Sequence, residues 1–423
     1  MRRRLLLVIP AVVVLAAGIA IAFYATRKPP SGELETAVTD VTVVAPTIPE
    51  TPRPTPGPPK PEPPAPDVDK RCWPMFGGGP TRDLARLDID LGIPHGKRWA
   101  RGLKSYVEYP PSYCDGVLYV NTFKGDTWAI DAATGKVLWR RTSDAHKPST
   151  PAISGDNLIV SAKDGTVTAL TRKAGKVVWQ LRTNAIVESS PAVVDGVAYF
   201  GTTDGRLFAV DAYTGRVRWA YDTGGRINSS PSLARGRVCI TTYAGSIFCL
   251  RQSNGTKLWS TYVKRDAFRY ESFYASASSD GERLYSISRS GRVYALDASN
   301  GRVVWSAGVG GLGYTTPAVS EGRVFAGGFD GRLRAFRATD GEELWSTETG
   351  GRLLGAPVVI GPYVFVSTLE KRTVALRVED GSLAWRIPLG KYAPGIATER
   401  TYFLTLNGRL IATPGRDVPR SLR

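Results

Sequence analysis

From Trp99 to the C-terminus the chain runs in short stretches of alternating apolar and polar residues, each closed by a turn-forming pair. The unit ending at Trp219 shows the pattern. Ser190-Pro191-Ala192-Val193-Val194 leads into Asp195-Gly196, and Val197-Ala198-Tyr199-Phe200-Gly201 leads into Thr203-Asp204-Gly205. Arg206 to Asp211 then reaches Thr214-Gly215, and Arg216 to Tyr221 closes the unit. Alternation at every second residue between such turns predicts antiparallel strands joined by hairpins. In the fourth strand Val217, Trp219 and Tyr221 share one face, and Arg216 and Arg218 the other. The 3.6-residue periodicity of an amphipathic helix is absent from these units.

The unit repeats. A glycine followed four residues later by tryptophan recurs at Gly135/Trp139, Gly175/Trp179, Gly215/Trp219, Gly255/Trp259, Gly301/Trp305, Gly341/Trp345 and Gly381/Trp385. The tryptophans are spaced by 40 residues except for one step of 46, and Trp99 lies 40 residues before Trp139. Four short strands per unit at this period predict the blades of a β-propeller. Helical solenoids share the period but not the alternation, and the Gly-His and Trp-Asp dipeptides of WD repeats are missing.

The motif closing each unit, Ala-x-Asp followed by Gly-x3-Trp, resembles the pyrroloquinoline quinone (PQQ) propeller repeat with its tryptophan-docking motif. It stands complete at Ala129-Ile130-Asp131, Ala209-Val210-Asp211 and Ala295-Leu296-Asp297, each with its glycine following. Thr171, Arg251, Arg337 and Arg377 replace the aspartate elsewhere, so those blades are expected to keep the fold but lose a turn-stabilising carboxylate. The resemblance covers residues 71–423 and implies that each indole packs on the neighbouring blade, which makes Trp99, Trp139, Trp179, Trp219, Trp259, Trp305, Trp345 and Trp385 structural joints. After Trp385 come three more strand candidates, Ala397-Thr398-Glu399, Thr401 to Leu406 and Arg409 to Thr413, without a tryptophan strand. The unpaired strand at Trp99 can complete them. An all-β, eight-bladed propeller of four-stranded antiparallel blades is expected, or seven blades if the tail is only a cap.

Ahead of the propeller, Met1-Arg2-Arg3-Arg4 precedes an uncharged run from Leu5 to Tyr24, followed by Arg27 and Lys28. Residues 1–28 therefore predict a cytoplasmic tip and a transmembrane signal-anchor spanning 5–24, with the C-terminal domain outside the cytoplasm. Ala20-Ile21-Ala22 offers the competing reading of a cleaved signal and a secreted domain. Residues 29–70 hold 13 prolines and few apolar residues, which predicts a disordered, extended linker. The net charge of +17 rests mainly on the folded part and favours anionic partners. The expected compartment disfavours nucleic acid.

Four cysteines in an exported domain suggest two disulfides. If Tyr243-Ala244-Gly245 forms a three-residue loop, Cys239 faces Cys249, whereas a two-residue turn puts them out of register. Cys72 and Cys114 would then pair, tying the N-terminal lead to the first blade. No Cys-x2-Cys spacing suggests a metal.

Catalytic signals are sparse. Only His95 and His146 are available as histidines, and no nucleophile elbow, zinc motif, phosphate loop or calcium loop is present. Family relatives that are quinoprotein dehydrogenases imply PQQ with calcium as a possible cofactor. Eight of the ten tryptophans are used at blade ends, however, and no adjacent cysteines exist. A cofactor-free, non-catalytic protein-binding scaffold of the BamB-like kind is the leading expectation, with a PQQ- or metal-dependent oxidoreductase as the alternative. A sensor domain is disfavoured by the short intracellular part.

The 46-residue step holds the main candidate site, between Val263 and Tyr274. Lys264, Arg265, Phe268, Arg269 and Tyr270 lie in this excess, and equivalent loops bring Tyr106, Arg226, Tyr314, Arg352 and Tyr392 to the same channel mouth. Lys104, Glu108, Tyr109, His146, Lys147, Glu188 and Lys391 are expected there too. Arginine and aromatic side chains dominate protein-binding hot spots. The expected partner is an envelope protein or an anionic glycan, bound by a monomeric propeller.

Overall fold

The computed structural model describes residues 72–416 apart from Ala393 and Asn407. The expected anchor at 5–24 and linker at 29–70 lie outside the described residues. No helix among the described residues is long and apolar enough to cross a membrane.

The strands form eight four-stranded antiparallel blades. In the third blade Ala192–Val194, Val197–Gly201, Arg206–Asp211 and Val217–Asp222 pair in order, from the channel outward. The first three are almost wholly buried, and the fourth alternates half-buried Val217, Trp219 and Tyr221 with exposed neighbours. That is the alternation read from the sequence. Each of the first seven blades also carries a register shift beside the residue facing its tryptophan, an alanine in six, as at Ala209/Val210 opposite Trp219, and Cys249 opposite Trp259. Such bulges increase local twist and re-aim a side chain.

The eighth blade closes the ring with strands from both ends of the chain. Trp99–Gly102 pairs with Arg409–Thr413, which pairs with Thr401–Leu406 and then Gly395–Thr398. The innermost strand begins earlier than the sequence suggests, and Glu399 falls in the turn. Closure removes the free sheet edges that an open array would expose.

The Gly-x3-Trp motif acts between blades. Trp179 Nε1 donates to Ala212 O at 3.1 Å, 33 residues on, and the same step links Trp99 to Ala132, Trp139 to Arg172, Trp219 to Gln252, Trp305 to Ala338 and Trp345 to Val378. Trp259 reaches Ala298 across the long step. The next blade's motif glycine lies under the indole: a Cβ on Gly215 would sit 2.7 Å from the Trp179 ring, and φ there is +75°. Glycine is thus required twice, by a left-handed backbone and by the ring above it.

The turn has two acceptor places, and only the first changes where the motif departs. Asp131, Asp211 and Asp297 accept from the backbone of their own turns. Where Arg337 and Arg377 replace the aspartate, Asp340 and Asp380 hold the second place and accept from Glu342 N and Ser382 N. Asn254 does so beside Arg251. Thr134, Thr214 and Asn300 make the same bond in the blades that keep the aspartate, so only the aspartate's own bond is lost where it is replaced.

Both disulfides form as expected. Cys239 pairs directly with Cys249 across the hairpin closed by Tyr243-Ala244-Gly245, and Cys72 pairs with Cys114. The N-terminal lead does more than the sequence suggested, because it threads the channel. Its carbonyls at Trp73, Pro74, Pro80, Thr81, Asp83 and Leu84 accept in turn from Tyr113, Ile153, Leu233, Ser279, Val319 and Val359 on the innermost strands. Arg82, with no exposed surface, fixes it there. Its guanidinium donates to Phe76 O at 2.7 Å, to Ser190 O at 2.8 Å and to Pro231 O. Trp73 Nε1 donates to Ala397 O at 2.5 Å, joining the lead to the closing blade.

Candidate functional site

The loops entering each innermost strand and the turns between second and third strands lie on one face. Phe123, Lys163, Thr203, Tyr243, Arg289, Phe329 and Leu369 start those turns, and each donates its amide to an entering loop: Tyr106, His146, Ile186, Arg226, Ser272, Leu312 and Arg352, respectively. Most residues expected at the rim, Lys147 apart, fall into three overlapping groups on this face.

The first group is the six-residue excess. Lys264 and Tyr270 form an antiparallel bridge, Arg265 N donates to Arg269 O at 2.9 Å, and Asp266 accepts from Phe268 N at 2.9 Å. This small hairpin carries Phe268 at its tip, 95% exposed, with Tyr270 54% exposed and packed edge-on to Tyr262. An ordered tip holding a bare phenyl ring in water is costly. Arg265 and Lys264 flank it, and Arg269 is 3.6 Å from Asp266.

The second group is a chain of arginines and rings along the rim. Arg289 lies over Tyr243 and Tyr314, Tyr314 packs on Phe329, and Arg352 lies over Phe329 while paired to Glu370 at 2.8 Å. Tyr314 and Arg352 were expected here. Arg289, Tyr243 and Phe329 were not, because they come from the second class of turn. On the opposite arc Lys391 lies over Tyr106 and Tyr392, and Tyr106 is 56% exposed.

The third group lines a cup on the axis, a cavity of about 290 Å³. Glu108, Tyr109, Tyr274, Tyr314 and Tyr392 form its walls with Asn228, Ser230, Ser276 and Thr316, and Phe76 of the lead lies among them. The channel is blind beneath, since the lead crosses it. Deeper down, hydroxyls join neighbouring blades: Thr150 N donates to Ser190 Oγ, Ser190 N to Ser230 Oγ and Ser230 N to Ser276 Oγ.

Glu108 in the cup wall and Glu188 beside Tyr274 are shifted in opposite directions. Burial pushes Glu108 up; Lys163 opposes this, Glu188 adds to it, and His146 and Lys391 oppose it. Burial also disfavours ionised Glu188, but bonds from Lys163 at 2.9 Å and from Asn228, with the charge of Arg226, hold it below its ordinary value. Arg226 Nε in turn donates to Asn228 Oδ1 at 2.9 Å. Burial, reinforced by Glu188 and Glu108, pushes the Tyr274 hydroxyl up to about 12.

Lys147 is not a rim residue. It is buried, its ammonium donates to Gly125 O at 2.7 Å, and burial with Arg141 nearby pulls its pKa down to about 8. His146 beside it is exposed against Phe123. The one cluster of potential metal ligands among the described residues, Cys72, Cys114 and Asp115, has both thiols in a disulfide.

The sequence could have revealed the cup through one signal. Glu108, Pro148, Glu188, Asn228, Tyr274, Tyr314, Leu354 and Tyr392 hold equivalent places before each innermost strand, yet differ in chemistry while the surrounding repeat is kept.

The family model described as outer membrane protein assembly factor BamB matches residues 96–267 and 254–413. No curated protein matches the chain. Among solved structures, BamB from Moraxella catarrhalis is similar at 17% identity and TM-score 0.66, covering 75% of this chain and 99% of that one. Quinohemoprotein alcohol dehydrogenase from Comamonas testosteroni is similar at 15% identity and TM-score 0.70, covering 82% of this chain and 81% of that one. A europium-containing methanol dehydrogenase reaches 13% identity and TM-score 0.64, covering 77% and 87%. At these identities the structural likeness speaks to the fold alone.

Proposed function

The chain belongs to the PQQ-repeat propeller family of the outer membrane protein assembly factor BamB, and from that premise we propose that it is a non-catalytic scaffold that binds a protein of the cell envelope. The N-terminal run at 5–24 would hold it in the membrane with the propeller outside the cytoplasm. The observation that carries this reading is the ordered hairpin at Lys264–Tyr270 with its bare Phe268 tip. Hot spots of protein interfaces are aromatic and arginine side chains that become desolvated on docking. Phe268, Tyr270, Arg265 and Arg269 supply both types, and the rim chain of Arg289, Tyr314 and Arg352 extends the surface.

The likeness to two dehydrogenases raises an oxidoreductase as the second reading. A flat, anionic quinone such as PQQ needs a stacking plane and cationic partners. The axial cup is lined by neither tryptophan nor lysine nor arginine among the described residues, and it contains the carboxylate of Glu108. Both disulfides lie away from that lining. These residues do not fit the cofactor, which supports the scaffold reading.

The test is photo-cross-linking from position 268 in cells, with the Arg265→Ala, Phe268→Ala, Arg269→Ala and Tyr270→Ala combination as comparison. A discrete cross-linked envelope protein that disappears in the combined variant is expected. An unchanged partner set with a folded variant removes the hairpin from the interface.

A further inference from the structure

The axial cup carries a polar group that the fold leaves unused. Glu108 makes no hydrogen bond or ion pair within the described part of the molecule, whereas Glu188 beside it is bonded by Lys163 and Asn228. Burial weighs against the ionised form of Glu108, so its charge stands in a confined place without a direct counter-ion. A group in that situation is stabilised by a cationic ligand.

The walls specify the kind of cation. Tyr274 meets Tyr314 at 5.7 Å and 75°, and Phe76 meets Tyr109 at 5.7 Å and 79°. Rings at steep angles make the sides of a box, not the parallel plates that hold a flat conjugated ring. A compact, rounded cation touches several rings of a box at once, and the ring quadrupoles favour its charge. The protein's own cations already use two of these rings from the rim: Lys391 Nζ lies 5.2 Å from the Tyr392 centroid, and the Arg289 guanidinium carbon 5.8 Å from that of Tyr314. The cavity of about 290 Å³ suits a ligand of a few heavy atoms.

We propose that the cup is a binding site for a small organic ammonium ion of the choline type, with its methyl groups against Tyr109, Tyr274, Tyr314 and Tyr392 and its charge toward Glu108. Asn228, Ser230, Ser276 and Thr316 line the same cavity and offer partners for a ligand hydroxyl. The site is separate from the Phe268 hairpin and stands whether or not a protein docks there.

The test titrates the full-length chain with choline, with its uncharged carbon isostere 3,3-dimethyl-1-butanol, and with glucose, following heat of binding and tyrosine fluorescence. Saturable choline binding is expected, with the isostere weaker by at least about tenfold, since only the charge differs. The Glu108→Gln variant should lose about the same factor for choline and little for the isostere. Absence of saturable choline binding, equal binding of the isostere, or preference for glucose overturns the proposal. The isostere comparison uses the unaltered protein, so it decides the matter even if Glu108→Gln misfolds.

Discussion

The outer belt and the axis of this propeller obey opposite rules. From Trp99 to Trp345 the belt repeats one device: an indole donates to a carbonyl of the next blade and covers that blade's motif glycine. At the axis, equivalent positions hold glutamate, proline, asparagine, tyrosine or leucine, and a segment from outside the repeat fills the middle. Residues that hold the ring together have one answer in each blade. Residues free of that duty have diverged, and they form the cup and the rim.

The comparison breaks if belt and axis respond alike to substitution. The largest loss is expected in the belt. Trp179→Ala should lower stability by about 3–5 kcal/mol, read as a shift of the urea unfolding midpoint, because Trp179 is 2% exposed and its removal leaves a cavity. Gly215→Ala should cost about 1–2 kcal/mol for its left-handed backbone alone, plus the overlap with the indole. In the Trp179→Ala background the overlap vanishes, so the double variant should lose less than the two single losses together. Strict additivity would mean that glycine and indole are not coupled.

A smaller loss is expected on the axis. Arg82→Met deprives three carbonyls of a charged donor, for about 2–4 kcal/mol, and should make residues 72–95 more sensitive to protease in native conditions. Protection equal to the unaltered chain would show that the arginine does not secure the lead.

Glu108 of the cup and its neighbour Glu188 sharpen the contrast further, with opposite signs. Glu108 has a raised pKa in the folded state, so its ionisation costs stability as pH rises through that value. Glu108→Gln should therefore raise the melting temperature at pH 7, with the advantage fading as pH falls below the ordinary glutamate range. Glu188 has a lowered pKa, so its contribution is present at neutral pH and is lost as pH falls through the folded value. Glu188→Gln should lower the melting temperature at pH 7, and the difference should shrink in acid. Melting curves from pH 3 to 8, roughly spanning the carboxylate range, read both signs. The smallest effect belongs to the rim. The combined alanine variant of Arg265, Phe268, Arg269 and Tyr270 should change stability by no more than about 0.5 kcal/mol per site, because these side chains pack on little.

Much of the belt was legible before any coordinates. The spacing of Trp99 from Trp139 offered the first strand to complete the last blade, and a three-residue loop at Tyr243, if formed, set Cys239 against Cys249; the structure has both. Both are local or periodic, and periodicity survives in one dimension. The rim was half legible. Tyr314 and Arg352 stood in the loops considered, whereas Arg289 and Phe329 come from turns that reach the same face only through backbone bonds such as Arg289 to Ser272 and Phe329 to Leu312.

The sequence by itself determined the short strands and their 40-residue unit, because alternation and spacing are written along the chain. It left eight blades or seven open, and the pairing of Trp99–Gly102 with Arg409–Thr413 decided for eight. Only the tertiary structure decided the path of residues 72–86 through the channel, the burial of Arg82 and Lys147, and the meeting of Glu108, Tyr109, Tyr274, Tyr314 and Tyr392 in one cup. Those outcomes depend on ring closure, which brings residues far apart in the chain to a common axis. No local pattern records which of them will face one another.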